Sequence, residues 1–405
     1  MEGYKLLITL FLMILLIWRH VPISWVMLGC SALLAFMYHT GLIAFGKMLW
    51  RGMANPVTIE LVIILMAIMM LEFLLRKEGY LQRMLAALQA IIPNPRFVMA
   101  LLPSFIGLMP SAGGAVFSAP LVEHAAKGLA ISPEQKSFVN FYYRHVTEYF
   151  LPIYPSILLI AQLSGIPVQK LILALIPYGV LAILLGIPVL KKIPRDRADG
   201  IVREESYEGP ERKKMIRELV LSALPMLVVV LMVLALQAEV WLAVGLVILF
   251  LLIYHRYTPP KLLELFREIK IQTIILVFTV MIFKQVLEDT DAVAGLPLLL
   301  EHLPVPSYFV FIAINFLVAV MTGHMVALVG IGFPVALAAM GSSFDLPTAV
   351  LLFIAGFTGQ MITPVHLCLT LTVNFFKADL NQVVKMLIGP EAVLLASAIA
   401  AYVLF

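Results

Sequence analysis

Apolar residues in this chain fall in long blocks, not in the two-residue alternation of a strand or the single stripe of a surface helix. Seven blocks lie near 4–18, 23–38, 57–75, 97–109, 115–126, 138–163 and 168–190. Seven more follow near 219–236, 240–254, 271–287, 308–321, 326–340, 348–376 and 383–405. Helices that are apolar all round are buried in lipid or among other helices. The two sets match in order. In each, the fourth and fifth blocks are short and flank a tip of small residues, Pro110-Ser111-Ala112-Gly113-Gly114 in the first set and Thr322-Gly323-His324-Met325 in the second. In each, the sixth block is long and interrupted, first by Phe150-Leu151-Pro152-Ile153-Tyr154-Pro155 and then by Thr358-Gly359-Gln360-Met361-Ile362-Thr363-Pro364. The spacing repeats as well: Pro120 to Pro152 is 32 residues and Pro334 to Pro364 is 30.

Length separates the blocks that cross from those that do not. A crossing helix needs roughly 20 residues to span a hydrocarbon core about 30 Å thick. Block 97–109 would reach only about 20 Å at 1.5 Å per residue. Each tip therefore reads as the point of a re-entrant hairpin, over 97–127 in the first half and 307–340 in the second. Unwound backbone is costly in lipid and survives only inside protein or beside a water-filled cavity. Paired interruptions in corresponding halves mark the binding site of a transporter.

Composition agrees: 62% of residues are hydrophobic and 13% charged, with a mean hydropathy of +1.02. The net charge of +4 is small and implies no nucleic-acid partner. Cys30 and Cys368 are the only cysteines, so there is no disulfide framework and no cysteine metal motif. Block 4–18 lacks a basic leader and a small-residue cleavage site and reads as a retained span. Residues 191–218 carry nine basic and seven acidic side chains and form a solvated linker between domains 1–190 and 219–405.

Basic residues in short loops mark the cytoplasmic side. The linker is placed there, and counting from it puts Arg76, Lys77, Arg83 and Arg96 inside together with His255, Arg256, Lys261, Arg267 and Lys270. Glu288, Asp289, Asp291 and Glu301 then fall outside, as do both termini. Block 57–75 runs inward and its counterpart 271–287 outward. The expected fold is an all-α polytopic membrane protein with two inverted repeats, each of five transmembrane helices and one re-entrant hairpin. The amphipathic stretches 80–92 and 261–270 read as interfacial helices lying on the membrane.

At PSAGGAVFSAP, FYYRHVTEYFLPIYP and GQMITPVHLCLTLT the chain resembles an uncharacterised prokaryotic permease family of the ion-transporter superfamily. That superfamily includes divalent-anion/sodium symporters and citrate, gluconate and arsenite carriers. The resemblance implies an elevator-type transporter, a homodimer with a scaffold domain and a moving transport domain, and a substrate held between hairpin tips and broken helices. In sodium-coupled dicarboxylate relatives, Ser-Asn-Thr motifs occupy both tips. Here Ser111-Ala112-Gly113 and Thr322-Gly323-His324 stand instead, without the asparagines, which favours protons over sodium as the coupling ion.

The residues themselves offer a limited chemistry. Ser111, Ala112, Gly113, Gly114, Thr322 and Gly323 leave backbone groups free to meet a solute closely; the same small residues also serve helix packing. His324, His366 and Glu148 are ionisable groups at expected membrane depth, where such groups are functional candidates. Arg144 and Glu148 are four apart and can pair on one helix face, or Arg144 can hold an anionic group while Glu148 accepts the coupling ion. Pro152, Thr363 and Pro364 shape the two breaks, and Glu391 is a deep acid in the last span. No metal and no cofactor is expected, only H+ or Na+ as coupling ion.

The functional expectation is a secondary active transporter, not an enzyme, in the cytoplasmic membrane, moving a small anionic solute across the lipid bilayer. The alternatives are a membrane-embedded enzyme, for which no HExxH or GxSxG motif is present, and a passive channel or lipid flippase. Flux in proteoliposomes separates them, because a carrier moves solute unchanged, with saturation and counterflow.

Overall fold

Every regular element among the described residues is a helix, as apolar blocks without a two-residue period require. The computed structural model describes residues 3–19, 21–108, 114–194, 210–292, 305–340 and 344–404. The first part contains α1 (Gly3–Trp18), α2 (Ile23–Met37), α3 (Leu42–Ala54), α4 (Pro56–Lys77), α5 (Tyr80–Ile91), α6 (Pro95–Gly107), α7 (Gly114–Ala125), α8 (Pro133–His145), a 3-10 turn (Val146–Tyr149), α9 (Pro155–Ser164) and α10 (Val168–Lys192). The second contains α11 (Pro210–Leu234), α12 (Val240–Tyr254), α13 (Pro259–Arg267), α14 (Ile271–Asp289), α15 (Ser307–Thr322), α16 (Met325–Met340), α17 (Leu346–Ile362), α18 (Leu367–Phe376) and α19 (Leu380–Leu404).

Local chemistry sets the boundaries. The Asn55 side chain accepts the Val57 N–H ahead of Pro56, the first residue of α4, a position where proline costs no hydrogen bond. Ser132 and Gln135 form a reciprocal capping box at the start of α8. Glu134 in that first turn accepts the Asp379 N–H at 3.2 Å. Its carboxyl is held below the usual carboxylate range, chiefly by its own backbone N–H and then by Ser132 and Asp379.

Six helical segments are long and apolar enough to cross a membrane: α4, α10, α11, α14, the pair α17–α18, and α19. The helices α1, α2 and α12 are shorter, at 16, 15 and 15 residues. Burial differs sharply among the six. The apolar stretch of α17–α18 is 83% buried, against 28%, 28% and 22% for α10, α11 and α19. The interrupted helix is wrapped in protein, and the long unbroken ones keep most of their surface outward.

Packing divides the chain into two groups of helices. In one, α2 and α3 pack on α14, α12 and α13 pack on α4, and α5 packs on α11. In the other, α6 packs on α7 and α8, α15 on α16 and α17, α9 on α16, α18 on α7 and α8, and α19 on α17. The groups meet through α4 against α9, α5 against α6, α1 against α15 and α14 against α16.

Helices α4 and α14 touch and run antiparallel. In the last turn of α4, Arg76 meets Glu268 at 2.9 Å just ahead of α14, and Lys77 pairs with Glu264. At the other end, Arg51, four residues before Asn55, meets Asp289 at 3.4 Å, where α14 finishes. The loops after α4 and α12 also join, through Tyr257 to Glu78 at 2.8 Å and Tyr80 to His255 at 3.0 Å. Two loops given the same side by their charge therefore do share one end of the molecule.

Three details differ from the sequence reading. Helix α3 lies in a stretch that contained no apolar block, because its lysine and arginine interrupt the hydrophobic run. The stretch 80–92, expected to lie on the membrane, also has a protein partner that the sequence did not indicate: Met84, Leu85 and Leu88 turn inward and the helix packs on α11. The second break begins later than expected: Gly359 stays helical, packed against the Phe316 carbonyl, and the helix ends at Ile362.

Close helix contact makes a test. A Cβ added at Gly52 would lie 2.9 Å from the Ile282 Cα, whereas at Gly46, on the same helix, it would meet nothing within 4 Å. Gly52→Ala is expected to lower stability by about 1–3 kcal/mol through overpacking. Gly46→Ala is expected to raise it by up to about 1 kcal/mol through helix propensity. Thermal unfolding in detergent reads the opposite signs.

Candidate functional site

Two helices stop in mid-course, and His366 of the second break packs on Phe141 and His145 at the end of α8, just ahead of the first. The first path is α8, the 3-10 turn, residues 150–154 and α9; the second is α17, residues 363–366 and α18. Proline fixes both interruptions, since it cannot donate a backbone hydrogen bond: Pro152 and Pro155 in the first, Pro364 in the second.

Protein groups take up the backbone hydrogen bonds that the interruptions release. In the second break, the Thr363 hydroxyl donates to the Val320 carbonyl at 2.6 Å and accepts the Val365 N–H at 3.2 Å. The His366 N–H returns to the Thr363 carbonyl at 3.2 Å, and Thr370 Oγ1 donates to the Pro364 carbonyl at 2.8 Å. In the first, the Phe150 N–H returns to the Thr147 carbonyl and the Tyr154 N–H to the Leu151 carbonyl, both at 3.3 Å. The Tyr154 hydroxyl donates to the Gly107 carbonyl at the end of α6 at 2.5 Å, and Tyr149 and Phe150 close on Gly179 of α10.

The second tip is docked on its own break. Gly323 ends α15 in the left-handed region with φ of 61°, and a Cβ there would lie 2.7 Å from the His366 nitrogen. Thr322 Oγ1 accepts the His324 N–H at 3.4 Å. The His324 side chain is exposed, as are Pro364 and Val365, whereas Thr363 and His366 are buried. In the first tip, Gly114 opens α7 and is buried; Ser111, Ala112 and Gly113 lie outside the described residues. Hairpin 1 reaches the second break through Asn140, whose amide donates to the Ala115 carbonyl and to Thr372 Oγ1, both at 3.0 Å.

Ionisable groups gather where the breaks cross. Arg144, His145, Glu148 and His366 are all buried. Glu148 Oε1 lies 3.8 Å from His145 Nε2, an i,i+3 neighbour relation that a 3-10 turn enforces. Arg144 and Glu148 remain close enough for their charges to act on one another. The His145 and His366 rings stand edge to face, 4.9 Å between centroids. Cys368 completes the group: one ligand atom each from His145, His366 and Cys368 lies within 4.8 Å of the others. The sequence reading named neither His145 nor Cys368 as a site residue; only the crossing of distant helices places them there. Glu391 of α19 is also buried, with Thr358 of α17 beside its carboxyl.

Six membrane-length apolar helices and a polar centre built on two interrupted helices define an all-helical protein of the multi-pass membrane class. By sequence the chain belongs to the family described as "Protein of unknown function (DUF401)", which matches residues 4–405. Comparison with curated proteins gives no match.

Docking of the second tip is open to measurement. Gly165 has φ of 72° with nothing within 4 Å of an added Cβ, whereas Gly323 combines φ of 61° with backbone contact. Alanine at either position carries about 1–2 kcal/mol for the left-handed backbone. Gly323→Ala is expected to lose a further 1–3 kcal/mol or so by overpacking, seen as a larger drop in detergent melting temperature. Equal drops for the two variants would show the tip undocked.

Proposed function

We propose that this protein is a secondary active transporter for a small anionic solute, working by elevator-type alternating access and coupled to protons in preference to sodium. The observation that carries the reading is the crossing of two proline-broken helices with Arg144, Glu148, His145 and His366 buried at the crossing. Interrupted helices of this kind form solute and ion sites at the interface of structural repeats, and ionisable groups at membrane depth mark transport pathways.

Reciprocal packing supports two inverted repeats within 1–190 and 219–405. The first-half helices α2 and α3 pack on α14, and the second-half helices α12 and α13 pack on α4. The outgoing hairpin helices exchange likewise, α16 on α9 and α7 on α18. The antiparallel course of α4 and α14, which correspond in the two halves, is the relation an inverted repeat demands. In this reading the group containing α4 and α14 is the scaffold, and the group containing both hairpins and both broken helices is the moving part.

Arg144 is the positive partner of the solute. Glu148, His324, His366 and Glu391 are the groups available to carry a proton. The membrane is the cytoplasmic one, with the charged linker inside and both termini outside, and the resemblance adds a second copy of the chain as partner.

Proteoliposomes holding the purified chain test the reading. A panel of small carboxylates and inorganic oxyanions is expected to yield one solute taken up saturably and with counterflow under an imposed pH gradient. Arg144→Gln, checked for folding by its melt, is expected to lower that uptake at least about tenfold, the scale of a lost charge-assisted hydrogen bond. Accumulation driven by sodium alone and left intact by alanine at His324 or His366 would overturn the proton coupling. Flux without saturation or counterflow would place the protein among channels.

A further inference from the structure

We propose that His145, His366 and Cys368 form a binding site for a soft transition-metal ion of the Zn2+ class, bridging the two broken helices. The inference does not depend on the solute or on transport. It starts from composition: imidazole and thiolate together are the donor set that suits Zn2+ and its neighbours, whereas Mg2+ and Ca2+ take oxygen. One donor atom from each residue already lies within 4.8 Å of the others. In a tetrahedral zinc site, bonds of about 2.0–2.3 Å hold donors roughly 3.3–3.8 Å apart. Closing the set around an ion therefore takes about an ångström of side-chain adjustment.

The two histidines are oriented for this role. His145 Nδ1 lies 2.6 Å from the Phe141 carbonyl, and His366 Nδ1 lies 3.1 Å from the Gln360 carbonyl. A carbonyl only accepts, so each Nδ1 carries the hydrogen and each Nε2 presents its lone pair. A backbone carbonyl on the far nitrogen is the usual second contact of a metal-bound histidine, fixing both tautomer and ring direction. Phe141 adds rigidity, its ring packing on both imidazoles at 4.5 and 5.2 Å between centroids.

Charge at the site partly offsets a bound cation. Coordination releases the Cys368 thiol proton to solvent and leaves a thiolate. Thiolate and the Glu148 carboxylate, 3.8 Å from His145 Nε2, give two negative charges against the single positive charge of Arg144. Once the thiolate has formed, the protein groups sum to one negative charge, which offsets half the charge of a bound dication. The donors come from both halves of the chain, His145 from α8 and His366 with Cys368 from the α17–α18 segment, so a bound ion would pin the two interrupted helices together.

Tag-free protein in detergent, stripped with chelator and titrated with Zn2+ and with Co2+ as a coloured substitute, tests the site. One Zn2+ per chain is expected, and the Co2+ form should show the intense thiolate-to-metal charge-transfer band of a cysteine ligand. Cys368→Ser should abolish that band, and His145→Ala or His366→Ala should weaken Zn2+ binding more than the roughly 10–100-fold typical of losing an outer partner. Cys30→Ser, in α2, should leave both readouts unchanged. Absence of the charge-transfer band from the wild-type Co2+ form overturns the proposal without recourse to any variant. Retention of the band and of Zn2+ affinity in Cys368→Ser overturns it too.

Discussion

A helix interrupted inside a membrane leaves backbone N–H and C=O groups that lipid cannot satisfy, each at a cost of several kcal/mol. That constraint orders the rest of this structure. Within the second break the Thr363 hydroxyl accepts the Val365 N–H, and in the first the Phe150 and Tyr154 N–H groups return to the Thr147 and Leu151 carbonyls. Side chains of the breaks also reach the hairpins: Thr363 donates to the Val320 carbonyl and Tyr154 to the Gly107 carbonyl, each close to a tip. Moving a hairpin off its break would leave those carbonyls without their hydroxyl donors.

Burial follows from the same requirement. The α17–α18 segment must be surrounded by protein, and its apolar stretch is 83% buried. The helices around it, α15, α16, α19 and α8, are therefore drawn into one group. Helices without interruptions face no such demand. The group containing α4 and α14 instead has close packing, as where Gly52 brings α3 onto the backbone of α14, and ion pairs at the two ends of α4. Such exposed pairs are each worth about 0–1 kcal/mol, so they register the helix ends more than they hold the fold.

Much of the local architecture was legible in the sequence, because breaks and tips are written in proline, glycine and small residues whose backbone consequences are local. The second hairpin falls where the small residues placed it, with α15 ending at Gly323, and the first break lies between the 3-10 turn and Pro155. What stayed hidden depends on partners distant in the chain. Gly359 has the composition of a break but remains helical, because the Phe316 carbonyl packs against it. The apolar side of α5 is equally suited to a membrane surface or to α11, and only the tertiary contact decides between them.

The crossing itself is the deepest of these long-range effects. His145 stands beside Arg144 and Glu148 and Cys368 beside His366, but nothing local in the sequence says that these two stretches meet. Their significance arises because α18 packs on α8, bringing residues more than two hundred positions apart into one ring-to-ring contact. Asn140 fastens the same crossing through Ala115 and Thr372, with the amide donating to each. A single buried NH2 group on α8, bonded to α7 and to α18, fixes the register of the three helices more narrowly than apolar packing can, since a shift of a few ångströms along any of them would break those bonds in a low-dielectric interior. The ionisable residues beside it are thereby held at one place in the fold, which is the condition for their charges and lone pairs to act together.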